Sequence, residues 1–154
     1  MESISKKLLL QLPKVELHCH LDGSLRVSSI LDQAKIDNVK LPFKNYDDLT
    51  AYFKIGENRG SLGDYIKRFD ITLCVMQTPK ALSRFAYELI EDVSKENVRY
   101  IEVRYSPILH TKKGMALEEA LESVRKGLKR GEKDFGVKSG IIVCGIRPVS
   151  YTHL

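Results

Sequence analysis

A chain of 154 residues, 43% hydrophobic and 29% charged, is long enough to bury the core of one domain and too apolar to be a disordered polymer. Its net charge of +5 comes from 25 Lys and Arg set against 20 Asp and Glu, with the bases scattered among acids; this reads as a solvated surface rather than a nucleic-acid-binding patch. The Leu8–Leu10 cluster is too short for a signal-peptide core and no apolar run spans a membrane, while three widely spaced cysteines (Cys19, Cys74, Cys144) read as buried, reduced thiols of a cytoplasmic protein.

In chain order, Val15–His20 is a short strand entered from Pro13, and Ser24 or Asp22 is a candidate cap for a helix reaching about Ile36. Asp47–Phe53 reads as a short helix and Leu62–Met76 as a longer one carrying Leu62, Ile66, Phe69 and Leu73. Thr78 is a natural N-cap, and Pro79 suits the first helical position, where its missing N–H costs nothing. Leu82, Phe85, Ala86, Leu89, Ile90 and Val93 then follow on one helical face. A second strand runs Val98–Ser106 and stops at Pro107. A helix follows at roughly Ala116–Phe135, with Leu117, Leu121, Val124 and Leu128 on one side and Gly136 as its stop; the third strand is Gly140–Arg147.

Strands alternating with helices predict an α/β fold with a parallel sheet. Parallel sheets need both faces covered, or closure into a barrel. A (β/α)8 barrel takes about 250 residues, so three strands imply an open sheet or part of a barrel. On the second strand Ile101, Val103 and Tyr105 share one face, and Glu102, Arg104 and Ser106 the other. Two readings stay open there: Glu102 and Arg104 point inward in a polar network with Glu16 and Arg147, or the strand is an edge with one wet face.

Side chains two apart on a strand point the same way, so His18 and His20 project together from the C-terminal end of the first strand, with Glu16 one layer below. Two such imidazoles can chelate one metal ion, and zinc suits them. A bare H-x-H on a strand is also a common structural pattern. Asp22 and Gly23 follow at once, an acceptor for a substrate hydroxyl and a turn that lets a ligand approach closely.

The whole run L-P-K-V-E-L-H-C-H-L-D-G-S closely resembles the opening of the adenosine and adenine deaminase branch of the metal-dependent amidohydrolases. Y-I-E-V-R-Y-S-P at Tyr100–Pro107 looks like that family's second barrel strand, and S-L-G-D-Y-I-K-R-F-D at Ser61–Asp70 like the helix over its substrate pocket. The resemblance covers roughly Leu12 to Arg147.

It implies a partial (β/α)8 TIM barrel, about its first three strands, and zinc-dependent hydrolysis of the 6-amino group of adenosine or deoxyadenosine. His18 and His20 would be two zinc ligands, and zinc makes water acidic enough to attack near neutral pH. Asp22, beside Gly23, would accept a hydrogen bond from a ribose hydroxyl. Leu62, Tyr65, Ile66 and Phe69 would form an apolar lid over the base, although their spacing is equally that of plain helix core. Asp at position 22, where adenine-specific members tend to carry Glu, favours a nucleoside over free adenine. The expected partner is a small-molecule purine nucleoside, with no nucleic acid and no membrane; the oligomeric state has no sequence signal.

The family takes a third His and an Asp as further ligands, a Glu as proton donor and another His near the attacking water, all from later strands. None has a motif here; His110 reads as surface and His153 lies next to the terminus. Residues 1–147 are therefore expected to be the N-terminal portion of one hydrolase domain. Pro148–Leu154 does not continue the pattern and is expected to be foreign or out-of-frame sequence, which would leave the chain alone inactive and its apolar strand edges exposed. Two other readings compete: another H-x-H hydrolase such as an adenine deaminase, separable by downstream motifs, and a non-catalytic half-barrel binding module, separable by stable expression of residues 1–147.

Overall fold

The computed structural model describes residues 5–54 and 62–146, with side chains from position 68 onward in the second stretch. The expectations for Arg147, for Pro148–Leu154 and for the side chains of Leu62, Tyr65 and Ile66 lie outside the described residues. The elements are α1 (Lys6–Gln11), β1 (Lys14–His20), α2 (Val27–Ile36), α3 (Tyr46–Phe53), α4 (Leu62–Val75), α5 (Pro79–Lys95), β2 (Val98–Tyr105), α6 (Leu117–Phe135) and β3 (Lys138–Val143). The three strands are parallel in the order β1-β2-β3, each pair joined through helices, as in consecutive units of a (β/α)8 barrel.

Local chemistry starts and stops these helices. The Thr78 hydroxyl accepts the Ala81 N–H at 3.3 Å ahead of Pro79, and Asn45 Oδ1 accepts the Asp48 N–H at 2.8 Å to open α3. Gly136 closes α6 in the left-handed conformation, φ +73°. Neither Ser24 nor Asp22 caps α2, contrary to expectation. A 3₁₀ turn at Leu21–Gly23 intervenes, the cap position falls to Arg26 without a side-chain bond, and the Ser24 hydroxyl donates back to the His20 carbonyl at 2.6 Å. The third strand begins earlier and ends sooner than Gly140–Arg147, because the chain turns straight from Gly136 into pairing with Tyr100 at Lys138.

The core lies between the sheet and α5 and α6: Ile101, Val103 and Tyr105 are buried against Leu82, Phe85, Leu89, Val124 and their neighbours. β2 is the central strand, so the edge-strand reading is wrong, and its polar face is half-buried. Glu16, Glu102 and Arg104 make no ion pair with one another among the described residues; Glu102 accepts from the Tyr100 hydroxyl at 3.3 Å and Arg104 donates to the Leu17 carbonyl at 3.1 Å. α6 is rotated from expectation. Leu117 and Leu121 are exposed, and the helix packs through Ala120, Ser123, Val124, Gly127, Leu128 and Gly131. The cysteines are free, but Cys74 is exposed on α4 and the other two are only half-buried. Val15 and Leu17 on β1 are 60% and 55% exposed. No helix among the described residues is long and apolar enough to cross a membrane.

Arg26, just past the histidine loop, pins α2 to α5. Its guanidinium donates to both oxygens of Asp92 and to Glu91, each at 2.7 Å, and to the Glu88 carbonyl at 3.3 Å. The bonds from Arg26, then Lys95, hold Glu91 below its ordinary pKa. Burial pushes Asp92 up, but the bonds from Arg26 and Lys95 outweigh it and leave its carboxyl low as well. A carboxylate with a depressed folded pKa adds stability above its unfolded pKa, lost as pH falls through the folded one. Arg26→Gln should therefore lower the melting temperature at neutral pH. The gap from the parent should close as pH drops below the ordinary carboxylate range; a constant gap would refute the linkage.

Candidate active site

β1 delivers His18 and His20 to its C-terminal end on the same side. Their Nε2 atoms lie 3.3 Å apart and their ring centroids 5.3 Å apart. Two Zn–N bonds of about 2.0–2.1 Å at a tetrahedral angle place their nitrogens roughly 3.3 Å apart, so this donor pair fits a zinc ion. Without a metal the same approach lets one ring nitrogen donate a hydrogen bond to the other, the tautomers deciding which donates. Among the described residues no group of three or more His, Cys, Asp or Glu side chains is placed to hold a metal, so this stretch brings two ligands where catalytic zinc sites use three or more.

The 3₁₀ turn then buries Asp22, which is 7% exposed. Its Oδ1 has no hydrogen-bond partner and stands 3.9 Å from His20 Nδ1, too far for a hydrogen bond. Burial first of all raises its carboxyl above the usual range, with His20 and the local backbone amides pulling the other way. A buried, unpartnered acceptor costs free energy until a donor arrives.

Two cavities meet at this turn. One of about 450 Å³ is lined by Glu16, His18, Cys19, His20, Gly23, Ser24 and Phe69. The other, about 200 Å³, lies between the turn and α4, with Asp22, Gly23, Ile30, Phe53, Phe69 and Thr72 among its walls. Gly23 and Phe69 border both, and a Cβ on Gly23 would sit 3.4 Å from Phe69 Cε1. The structure thus brings together His18, His20, Asp22, Gly23 and Phe69. Arg68 and Thr72, one turn apart on α4, also face the smaller cavity and had no sequence signal beyond their spacing from Phe69.

His110 corrects the sequence reading. It is fully buried in a 3₁₀ turn after β2, with Nδ1–H donating to the Met76 carbonyl at 3.0 Å and its ring against Tyr105. Burial lowers its pKa, against the opposing pull of the Met76 carbonyl bond, and so favours the neutral ring. Gln77 explains the depth: its amide donates to the Leu73 and Leu109 carbonyls and accepts from the Lys112 N–H, tying the end of α4 to the loop that carries His110. His110 lines neither of the two cavities.

A family profile described as adenosine deaminase matches residues 13–153, running past the boundary at 147. The adenosine deaminase of Clostridium botulinum (strain 657) is 51% identical over 133 residues, 86% of this chain and 40% of that protein. That of Clostridium perfringens (strain SM101) is 46% identical over 139 residues, 90% of this chain and 42% of that protein. The chain therefore spans about 40% of the length of the curated relatives it matches. Among solved structures, a zinc-bound amidohydrolase of Burkholderia ambifaria superposes with TM-score 0.75 at 25% identity, over 92% of this chain and 39% of that one. The adenine deaminase of Arthrobacter aurescens gives 0.74 at 26%, over 84% and 38%. The N6-methyl-AMP deaminase of Arabidopsis thaliana gives 0.67 at 28%, over 88% and 40%.

Proposed function

Because the chain belongs to the adenosine deaminase family, we propose that its intact barrel hydrolyses adenosine or deoxyadenosine to the inosine nucleoside and ammonia. The observation that carries this reading is the His18–His20 Nε2 pair at zinc spacing beside the unpartnered, buried Oδ1 of Asp22. His18 and His20 would hold the zinc. When bound there, it supplies a water acidic enough to act as hydroxide near neutral pH. Asp22 accepts a hydrogen bond from a ribose hydroxyl at the edge of the smaller cavity, and the missing side chain of Gly23 leaves the sugar room to reach it. Phe69, which borders both cavities, shields the base from water. The partner is a small-molecule purine nucleoside. Three free cysteines fit a reducing compartment, the cytoplasm.

The decisive assay is ammonia release by the intact protein from adenosine, adenine and AMP in parallel. Adenosine should be turned over best; release from adenine or AMP but not adenosine would overturn the substrate assignment. Asp22→Ala should then lower kcat/KM for adenosine by about 10- to 100-fold, since a hydrogen bond to a charged group is worth about 1.5–3 kcal/mol. Unchanged kinetics would remove Asp22 from the site.

A further inference from the structure

Between two ladder pairs β1 carries one residue more than β2: Glu16 stands opposite Ile101 and Cys19 opposite Val103, so Leu17 and His18 share the place of one residue. Such a bulge takes backbone groups out of the ladder and re-aims the side chains beside it. At this bulge the Leu17 carbonyl and the His18 N–H, the two ends of a single peptide plane, are each bonded by a side chain. In a trans peptide they point in opposite directions, and the described chain has no cis bond.

Side chains grip that plane from both ends. Glu16 Oε1 accepts the His18 N–H at 2.8 Å, and Arg104 Nη2 donates to the Leu17 carbonyl at 3.1 Å. Arg104 is also the ladder partner of His20, so its backbone stands opposite one histidine while its guanidinium bonds the carbonyl just before the other. β1 is exposed, and water alone could satisfy either backbone group. What two side chains add is direction: a plane held at both ends cannot rotate, and its rotation would swing the His18 Cα–Cβ bond away from His20.

We propose that Glu16 and Arg104 are positioning residues that clamp the Leu17–His18 peptide and so hold the two Nε2 atoms at the spacing a divalent zinc ion requires. This rests on the reading of His18 and His20 as zinc ligands. Neither residue touches the ion or the substrate; Glu16 already spends an oxygen on the backbone, and Arg104 carries no metal-binding lone pair.

The test is the zinc affinity of the intact protein, measured by competition with a chromophoric chelator, together with hydrogen exchange of the peptide containing the His18 amide. Glu16→Ala and Arg104→Met should each weaken zinc binding about 10- to 100-fold, the range for supports of metal ligands. Exchange at His18 should speed up in Glu16→Ala. Glu16→Gln keeps an acceptor oxygen and should stay near the parent in both measurements. Parental zinc affinity in Glu16→Ala and Arg104→Met overturns the clamp. So does a Glu16→Gln as weak as Glu16→Ala, because negative charge and not the acceptor would then matter. If Glu16→Ala does not fold, Arg104→Met and Glu16→Gln carry the same decision. A parent protein that retains no zinc overturns the proposed function and the clamp together, whereas a zinc-binding parent with unaffected variants overturns the clamp alone.

Discussion

The intact protein carrying His18→Ala or His20→Ala should purify without zinc and release ammonia from adenosine at no more than background. Each substitution removes one of the two metal donors that this stretch provides, and among the described residues no group of three or more His, Cys, Asp or Glu side chains is placed to make up the loss. Supports of metal ligands cost about 10–100-fold when lost; loss of a ligand itself should exceed that. The fold should tolerate the change. Both rings sit on the accessible end of β1, outside the core between the sheet and α5 and α6, so melting of the metal-free parent and variant should coincide. Zinc content after dialysis and ammonia release decide the matter, and a variant with parental zinc would remove that histidine from the site.

The second large effect is on stability. Gly127→Ala should destabilise the protein even though alanine is the better helix former by about 1 kcal/mol. A Cβ at position 127 would collide with the Ser83 carbonyl oxygen and lie 2.8 Å from Ala86 Cβ, and one at Gly131 would lie 2.7 Å from Ile90 Cβ. The Ser83 oxygen belongs to the α5 backbone and cannot rotate away, so the helices must separate and loosen the layer that covers Ile101 and Val103. Overpacking of this kind costs about 1–3 kcal/mol, or a fall of roughly 2–4 °C in Tm per kcal/mol for a domain this size. Gly145→Ala, with nothing within 4 Å of the new Cβ, serves as the control and should leave Tm unchanged. A Gly127→Ala protein as stable as the parent would mean the two helices do not touch as described.

Much of the site was legible because its chemistry is local. H-x-H on a strand forces both imidazoles to one side, and Asp22 and Gly23 follow within three residues, so no long-range contact was needed to assemble them. Helix existence was legible for the same reason: Thr78-Pro79 and Gly136 act on backbone atoms within one turn. Errors had two sources. Ser24 looked like a cap but its hydroxyl found the His20 carbonyl within the same turn; His110 looked like surface but is buried against Met76, more than thirty residues upstream, beside the Gln77 links.

α6 marks the division between the two kinds of information. Periodicity alone determined that a helix runs to Gly136, that strands alternate with helices in a parallel sheet, and that His18 and His20 share a face. It put Leu117, Leu121, Val124 and Leu128 on the packing side because they are large and apolar. The tertiary structure buries Val124 and Leu128 but leaves Leu117 and Leu121 exposed, and turns Gly127 and Gly131 to α5, where an added Cβ would meet the facing helix. It likewise decided the spacing of the histidine pair. Sequence could place both rings on one side, but the 3.3 Å between their nitrogens follows from a bulge whose peptide is held by Glu16 locally and by Arg104 from the neighbouring strand.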